Sequence, residues 1–187
     1  MPEINQYLDL FDLAEIRNLC VEKGELRSYS KGDLFLSEEE VPDEFGFIAS
    51  GYFKYVVKAS NGMEKVVAFS LADDYVGHIN SALLGIPGGL SIVAGCSVMA
   101  YVIPMDEFVS FVGGKGLRFC MGIQGSLFHT IYSRYLDMYR LSPRERYLKI
   151  LHEYPDLLQR VPLCDIASYI GVTPIHLSRI RRNLHLR

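Results

Sequence analysis

No apolar run in this 187-residue chain approaches the roughly 18–20 residues that a membrane-spanning helix needs. The first residues, MPEINQYLDLFDL, are acidic and lack the basic start and apolar stretch of a secretory signal. A cytoplasmic location without membrane contact is the expectation. Cysteine is scarce. Cys20, Cys96, Cys120 and Cys164 form no CxxC pair and lie far from any histidine, so buried or incidental thiols are expected. The five histidines (His78, His129, His152, His176, His185) form no HxH or HExxH. A cupin-type metal enzyme would need several histidines and acids from barrel strands, and His78 is the only histidine in the β-rich region. The expectation is no metal, no cofactor and no enzymatic activity.

Acidic residues are absent after Asp165, where Arg179, Arg181, Arg182 and Arg187 all follow. The net charge of −3 taken alone argues against nucleic acid. Its distribution argues the other way. Residues 142–187 hold eight Arg/Lys against four Asp/Glu, and residues 1–141 hold eleven against eighteen. A basic end on an acidic body suggests a part that meets phosphate.

What is present organises around residues 161–184, VPLCDIASYIGVTPIHLSRIRRNL. Ile166, Ala167 and Ile170 fall on one helix face. Gly171 follows where a helix ending in a left-handed residue wants glycine. Thr173-Pro174 restarts a helix, with threonine as N-cap and proline at the first position. Leu177, Ile180 and Leu184 share one side of this second helix. The outline is a helix-turn-helix.

Upstream, residues from about Ile4 to Lys23 read as a helical lead-in stopped at Gly24. From Glu25 to Pro104 short β segments alternate with turns: Leu26–Ser30, Asp33–Leu36, Glu44–Ser50, Gly51–Ala59, Met63–Leu71 and Ser91–Ile103. Asn61-Gly62 predicts a type I′ hairpin. The pattern implies a small barrel or sandwich. Between the last two long segments, residues 74–91 read as a short helical turn and a glycine-rich loop. That is either a plain connection or an anion-holding loop. Met121, Gln124, Phe128, Ile131, Tyr135 and Met138 then form one stripe over five helical turns, packed on the barrel or buried against a partner copy. Glycines at 113, 114, 116, 122 and 125 place the firm start of that helix near Phe119. Ser142-Pro143 caps and starts another helix and marks a domain boundary.

Together these parts resemble the Crp/Fnr (cyclic-AMP receptor protein / fumarate-nitrate regulator) family of bacterial transcription regulators. The resemblance rests on Lys31-Gly32-Asp33-Leu34-Phe35, on residues 47–54 (FIASGYFK), on the Gly77-to-Ser91 cassette, on Pro143-Arg144-Glu145-Arg146-Tyr147 and on residues 166–173 (IASYIGVT). It implies an α+β chain in three parts. These are a jelly-roll sensor barrel like a cyclic-nucleotide-binding domain (1–112), a dimerisation helix (113–141) and a helix-turn-helix domain (142–187). It also implies a homodimer on a near-palindromic promoter site, with RNA polymerase as a further partner. The chain departs from the cyclic-AMP binders. His78 stands where they carry the ribose-holding glutamate, and Leu90, ahead of Ser91, stands where they carry the phosphate-holding arginine. Residues 77–91 contain no Lys or Arg, so a buried phosphate would lack charge-assisted hydrogen bonds. Cyclic AMP is therefore not expected as the ligand. The candidate pocket is Gly77, His78, Ile79, Leu90 and Ser91, for an unknown small effector or none. The oxygen-sensing branch uses an N-terminal cysteine cluster, and only Cys20 lies there. A haem-binding branch would rest on His78 alone. Residues 154–162 are short for the family's wing, so the wing is missing or reduced to an extended turn.

On a helical wheel the second helix turns Ile175, Ser178, Arg179 and Arg182 away from its apolar side, with His176, Arg181 and Asn183 on the flanks. Arg179 matches the family's base-reading arginine, and arginine suits guanine O6/N7. Ile175 replaces a frequent glutamate and suits a thymine methyl. Thr173, His176 and Ser178 suit phosphates near the helix start, and Arg181 and Arg182 add general attraction. The competing reading is a small-ligand-binding β-barrel module acting through a protein partner; it leaves the basic end unexplained.

Overall fold

The computed structural model describes residues 14–155 and 157–185. Helix α1 (Ala14–Lys23) buries Ile16, Leu19 and Cys20 and stops at Gly24, whose N–H donates to the Cys20 carbonyl at 2.8 Å. The earlier part of the expected lead-in, residues 4–13, lies outside the described residues. Eight strands follow: β1 (Glu25–Tyr29), β2 (Leu34–Leu36), β3 (Glu44–Ser50), β4 (Tyr52–Lys58), β5 (Glu64–Leu71), β6 (Tyr75–Val76), β7 (Ser91–Ala94) and β8 (Val98–Pro104). They form two antiparallel four-stranded sheets in the orders β1-β8-β3-β6 and β2-β7-β4-β5. Two sheets in this interleaved order are a jelly roll, and the expected α+β class holds. Helix α2 (Ile79–Leu84) lies between β6 and β7. After β8 come α3 (Met105–Gly114), α4 (Leu117–Arg140), α5 (Pro143–Glu153), α6 (Leu157–Arg160), α7 (Leu163–Tyr169) and α8 (Pro174–His185).

Three local expectations are corrected. The segment Ser91–Ile103 is two strands, broken by the turn at Gly95-Cys96-Ser97. At Gly95 the Tyr52 ring lies 2.0–2.2 Å from where a Cβ would sit, so only glycine fits beneath it. The β4–β5 hairpin is not type I′, which needs two residues of positive φ. Gly62 alone has one (+78°); its N–H donates to the Ala59 carbonyl at 2.8 Å and the Asn61 side chain accepts from Met63 N at 3.1 Å. This is the three-residue loop that ends in a left-handed glycine. In residues 154–162 the first of the two expected alternatives holds: the described residues there contain no strand that could form a wing and carry the single-turn helix α6, with Leu157 fully buried. Helix α4 begins at Leu117, two residues ahead of the expected firm start at Phe119.

Strand alternation divides the packing. Phe53 points between the sheets with Leu36, Ile48, Val76, Ile92 and Val102. Phe45, Phe47 and Ile103 pack outward beneath α1 and α3, against Ile16, Leu19 and Phe108. On the other sheet Tyr52, Val56, Val66 and Phe69 do not face water. They join Tyr147, Ile150, Leu157, Ile166, Ile170, Leu177 and Ile180 in one apolar cluster. The C-terminal helices and the β4–β5 face thus share a core.

Candidate nucleic-acid interface

The turn between α7 and α8 follows from Gly171. At φ +77° it takes the left-handed conformation, its N–H donates to the Ser168 carbonyl at 3.0 Å, and Val172 N–H donates to the Ala167 carbonyl at 2.9 Å. This pair of bonds is a Schellman stop. Thr173 then caps α8, its hydroxyl accepting from His176 N at 3.2 Å. Leu177 and Ile180 are buried, which fixes the rotation of α8. The opposite side faces solvent with Ile175, His176, Ser178, Arg179 and Arg182. Ile175 is 69% exposed. Thr173, Ile175, His176, Arg179, Ile180 and Asn183 line a concavity of about 390 Å³. Sequence reasoning left Asn183 on the flank, and its register one turn beyond Arg179 is what brings it to this strip. Arg181 is placed differently from Arg182: it is partly buried, and its Nε is enclosed without a hydrogen-bond partner.

Two groups missed by pattern reading hold this unit in place. Arg146 Nε donates to the Ile170 carbonyl at 3.0 Å, and its Nη1 donates to the carbonyls of Leu141 (2.7 Å) and Met138 (3.2 Å). A guanidinium presents several donors in a rigid fork, so one side chain ties the end of α7 to the end of α4. The second group is the contact with the jelly roll. Val66 N donates to Ser168 Oγ at 3.0 Å, Lys54 Nζ meets Asp165 Oδ1 at 3.2 Å, and the Phe69 and Tyr169 rings lie 5.3 Å apart. The Lys54–Asp165 pair is largely shielded, with side-chain exposures of 20% and 17%. Helix α5 enters as expected at Ser142-Pro143. Ser142 Oγ accepts from Glu145 N, and Glu145 Oε2 accepts from Ser142 N at 2.8 Å, a complete capping box. This holds the Glu145 carboxyl below its usual range, chiefly through the Ser142 hydroxyl.

The stripe on α4 does not pack on the jelly roll. Met121, Phe128, Ile131, Tyr135 and Met138 are all more than half exposed, and Ser126 is the buried residue of that helix. Phe128, Tyr132, Tyr135 and Tyr139 form a ladder of rings with successive centroids 5.1–6.4 Å apart.

The five candidate pocket residues stand at the two ends of one segment: Gly77, His78 and Ile79 lead into α2, and Leu90 and Ser91 lead into β7. Ile79 packs toward Phe45 and Phe108, and Leu90 packs toward Phe53 and Ile92. Ser91 Oγ already accepts from Glu38 N at 3.1 Å, and the Glu38 carboxylate pairs with Lys58. The Gly77 carbonyl accepts from the buried Tyr55 hydroxyl at 3.5 Å. His78 Nδ1 is enclosed without a hydrogen-bond partner, and burial lowers the pKa of that imidazole. Tyr29, Phe35 and Phe53 fill the space between the sheets with centroids 5.3–6.1 Å apart. Among the described residues no group of three or more His, Cys, Asp or Glu could hold a metal, and no helix is long and apolar enough to cross a membrane.

Residues 26–113 match the cyclic nucleotide-binding domain family. No curated protein sequence matches the chain. Solved structures similar to it include FixK2 from Bradyrhizobium japonicum, at 18% identity and TM-score 0.73 over 87% of this chain and 85% of that one. The c-di-GMP-responsive global regulator CLP of Xanthomonas campestris has 12% identity and TM-score 0.69, over 94% and 92% of the two chains. A protein from Eubacterium rectale, assigned as a transcriptional regulator of the Crp/Fnr family, has 14% identity and TM-score 0.66, over 95% and 88%. The match over residues 26–113 and the likeness over nearly the whole chain together show that the chain carries the fold of these regulators.

Proposed function

We propose that the chain is a transcription regulator that binds a near-palindromic DNA site as a homodimer, with α8 in the major groove. The observation that carries this is the rotation of α8. Leu177 and Ile180 are locked in the core, which leaves Ile175, His176, Ser178, Arg179 and Arg182 facing outward. Arg179 reads a guanine, Ile175 contacts a thymine methyl, and Thr173, His176 and Ser178 meet phosphates near the start of α8. Arg181 and Arg182 supply general attraction, Arg181 the less because it is partly covered. The division into sensor (1–112), dimerisation helix (113–141) and reader (142–187) belongs to the same proposal. Two copies joined along α4 would set their readers about one DNA turn (~34 Å) apart.

Cyclic AMP is not the effector in this reading. The Ser91 hydroxyl already accepts from the Glu38 backbone N–H, while residues 77–91 offer no cation to a phosphate. Selection of bound DNA from a random pool tests the reader. Arg179→Ala is expected to weaken binding to the selected site by roughly 10- to 100-fold and to relax the preference at one base pair, since a good bidentate contact is worth about 1–3 kcal/mol. Equal affinity and selectivity in the variant would show that another residue reads.

A further inference from the structure

The outward strip of α8 does not end at Arg179. One turn further on, Asn183 is exposed and lines the same concavity as Ile175, His176 and Arg179. Its direction is set by its neighbours in the helix. Leu177 and Ile180 are buried, and Leu184, directly after Asn183, packs against the cluster shared with the jelly roll. These inward anchors hold the rotation of α8 through its last turn and not only at its start. At about 100° per residue, Asn183 stands about 40° round the helix from Arg179 and about 80° from Ile175. Arg182 lies on the other side of Ile175, outside the lining of the concavity. Among the described residues, neither the Asn183 carboxamide nor the Arg179 guanidinium is taken up by a hydrogen bond or an ion pair. A carboxamide presents a donor and an acceptor side by side. In the major groove adenine alone offers the matching pair on one base, N7 to accept and the N6 amino group to donate. A phosphate offers acceptors only and would use half of the group.

Resting on the reading of α8 as the helix that enters DNA, we propose that Asn183 is a further specificity-determining residue, selecting an adenine beside the guanine read by Arg179. The steps from Ile175 to Arg179 and from Arg179 to Asn183 are each about 6 Å along the helix axis, at about 1.5 Å per residue. Successive bases of a strand are about 3.4 Å apart. The three side chains therefore address positions one or two base pairs apart along the groove. The guanine of Arg179 lies between the thymine of Ile175 and the adenine of Asn183. This order within each half-site follows from the register of α8 and from the residue types that occupy it.

The test selects bound duplex DNA from a random pool with the full parent chain and with N183A, N183Q, N183D and R179A. The parent should enrich half-sites with an adenine one or two pairs from the guanine that R179A ceases to select. N183A should bind the parent's site roughly 5- to 100-fold more weakly and lose the preference at that adenine alone, as for a bidentate base contact. N183Q should keep adenine, because it carries the same pair of groups. N183D should turn the preference toward cytosine, whose amino group donates to a carboxylate. A uniform loss over all sequences in N183A would make Asn183 a phosphate contact and overturn the proposal. Unchanged affinity and selectivity in N183A would overturn it too. Asn183 is exposed and alanine favours a helix, so N183A reports recognition rather than folding, and far-UV circular dichroism checks this. A parent that enriches no sequence would overturn the reading of α8 itself. A guanine lost in R179A with nothing lost in N183A would overturn this proposal alone.

Discussion

The β4–β5 face and the α4 stripe are both rich in large apolar side chains, and they end in opposite states. Val66 and Phe69 are 6% and 0% exposed because α7 covers them, whereas Phe128 and Tyr135 are 66% and 55% exposed on α4. The covered face also carries directional groups, Lys54 to Asp165 and Val66 N–H to Ser168. The open stripe is rings and methyls with no ion pair of its own. One face is completed within the chain. The other is left open to solvent. On the proposed function the two faces would do different work: docking the reader, and pairing two copies.

The largest expected effect comes from breaking the open face. Phe128→Glu with Tyr135→Glu would bury two unpaired carboxylates in a dimer at a cost of several kcal/mol. Sedimentation velocity should show monomers at concentrations where the parent pairs, with at least a roughly 100-fold loss of operator affinity. A dimer of undiminished stability would remove the stripe from the interface. Next is the covered face: Phe69→Ala should cost about 3–5 kcal/mol in urea unfolding, as for a fully enclosed ring. A cost below about 1 kcal/mol would mean that the two parts do not share a core. Gly171→Ala should cost about 1–2 kcal/mol, because an alanine there is forced into the left-handed region. The nearest atom to its Cβ would be 3.8 Å away, so the penalty is conformational and not steric. The smallest effect concerns the entry to α5. Ser142→Ala removes the cap at about 1 kcal/mol. The folded-state pKa of Glu145 is lowered mainly by Ser142. Its contribution is therefore present above the unfolded carboxylate pKa and fades as pH falls through the folded value. Urea midpoints of the parent should fall in that acid window, and those of Ser142→Ala should fall less.

The features legible in the sequence are those carried by neighbours along the chain. Ser142-Pro143, Gly171 and Thr173-Pro174 specify caps and a turn with three or four residues each, and all behave as their chemistry demands. The fold class was legible for a related reason, since strand alternation and turn residues recur every few positions. The break at Gly95 was not legible, because it depends on the Tyr52 ring 43 residues away. The docking of α7 was hidden for the same reason: Lys54 and Asp165 are 111 residues apart. Arg146 stood inside a family-like motif, but nothing local shows that it reaches Ile170 and Met138 at once. Asn183 was left on the flank of α8 because an ideal wheel shows angle and not the curvature of the groove.

Strand β5 is the rim of its sheet, with β4 on one side only. Its Val66 N–H is taken by Ser168, a side chain of the reader unit. A bare rim with apolar neighbours is a template on which a second chain can zip, the first step toward insoluble aggregates. Keeping α7 docked therefore covers this rim and, on the proposed function, would also hold the aim of α8. Any state that swings α7 away would leave a sticky strand exposed for as long as it lasts.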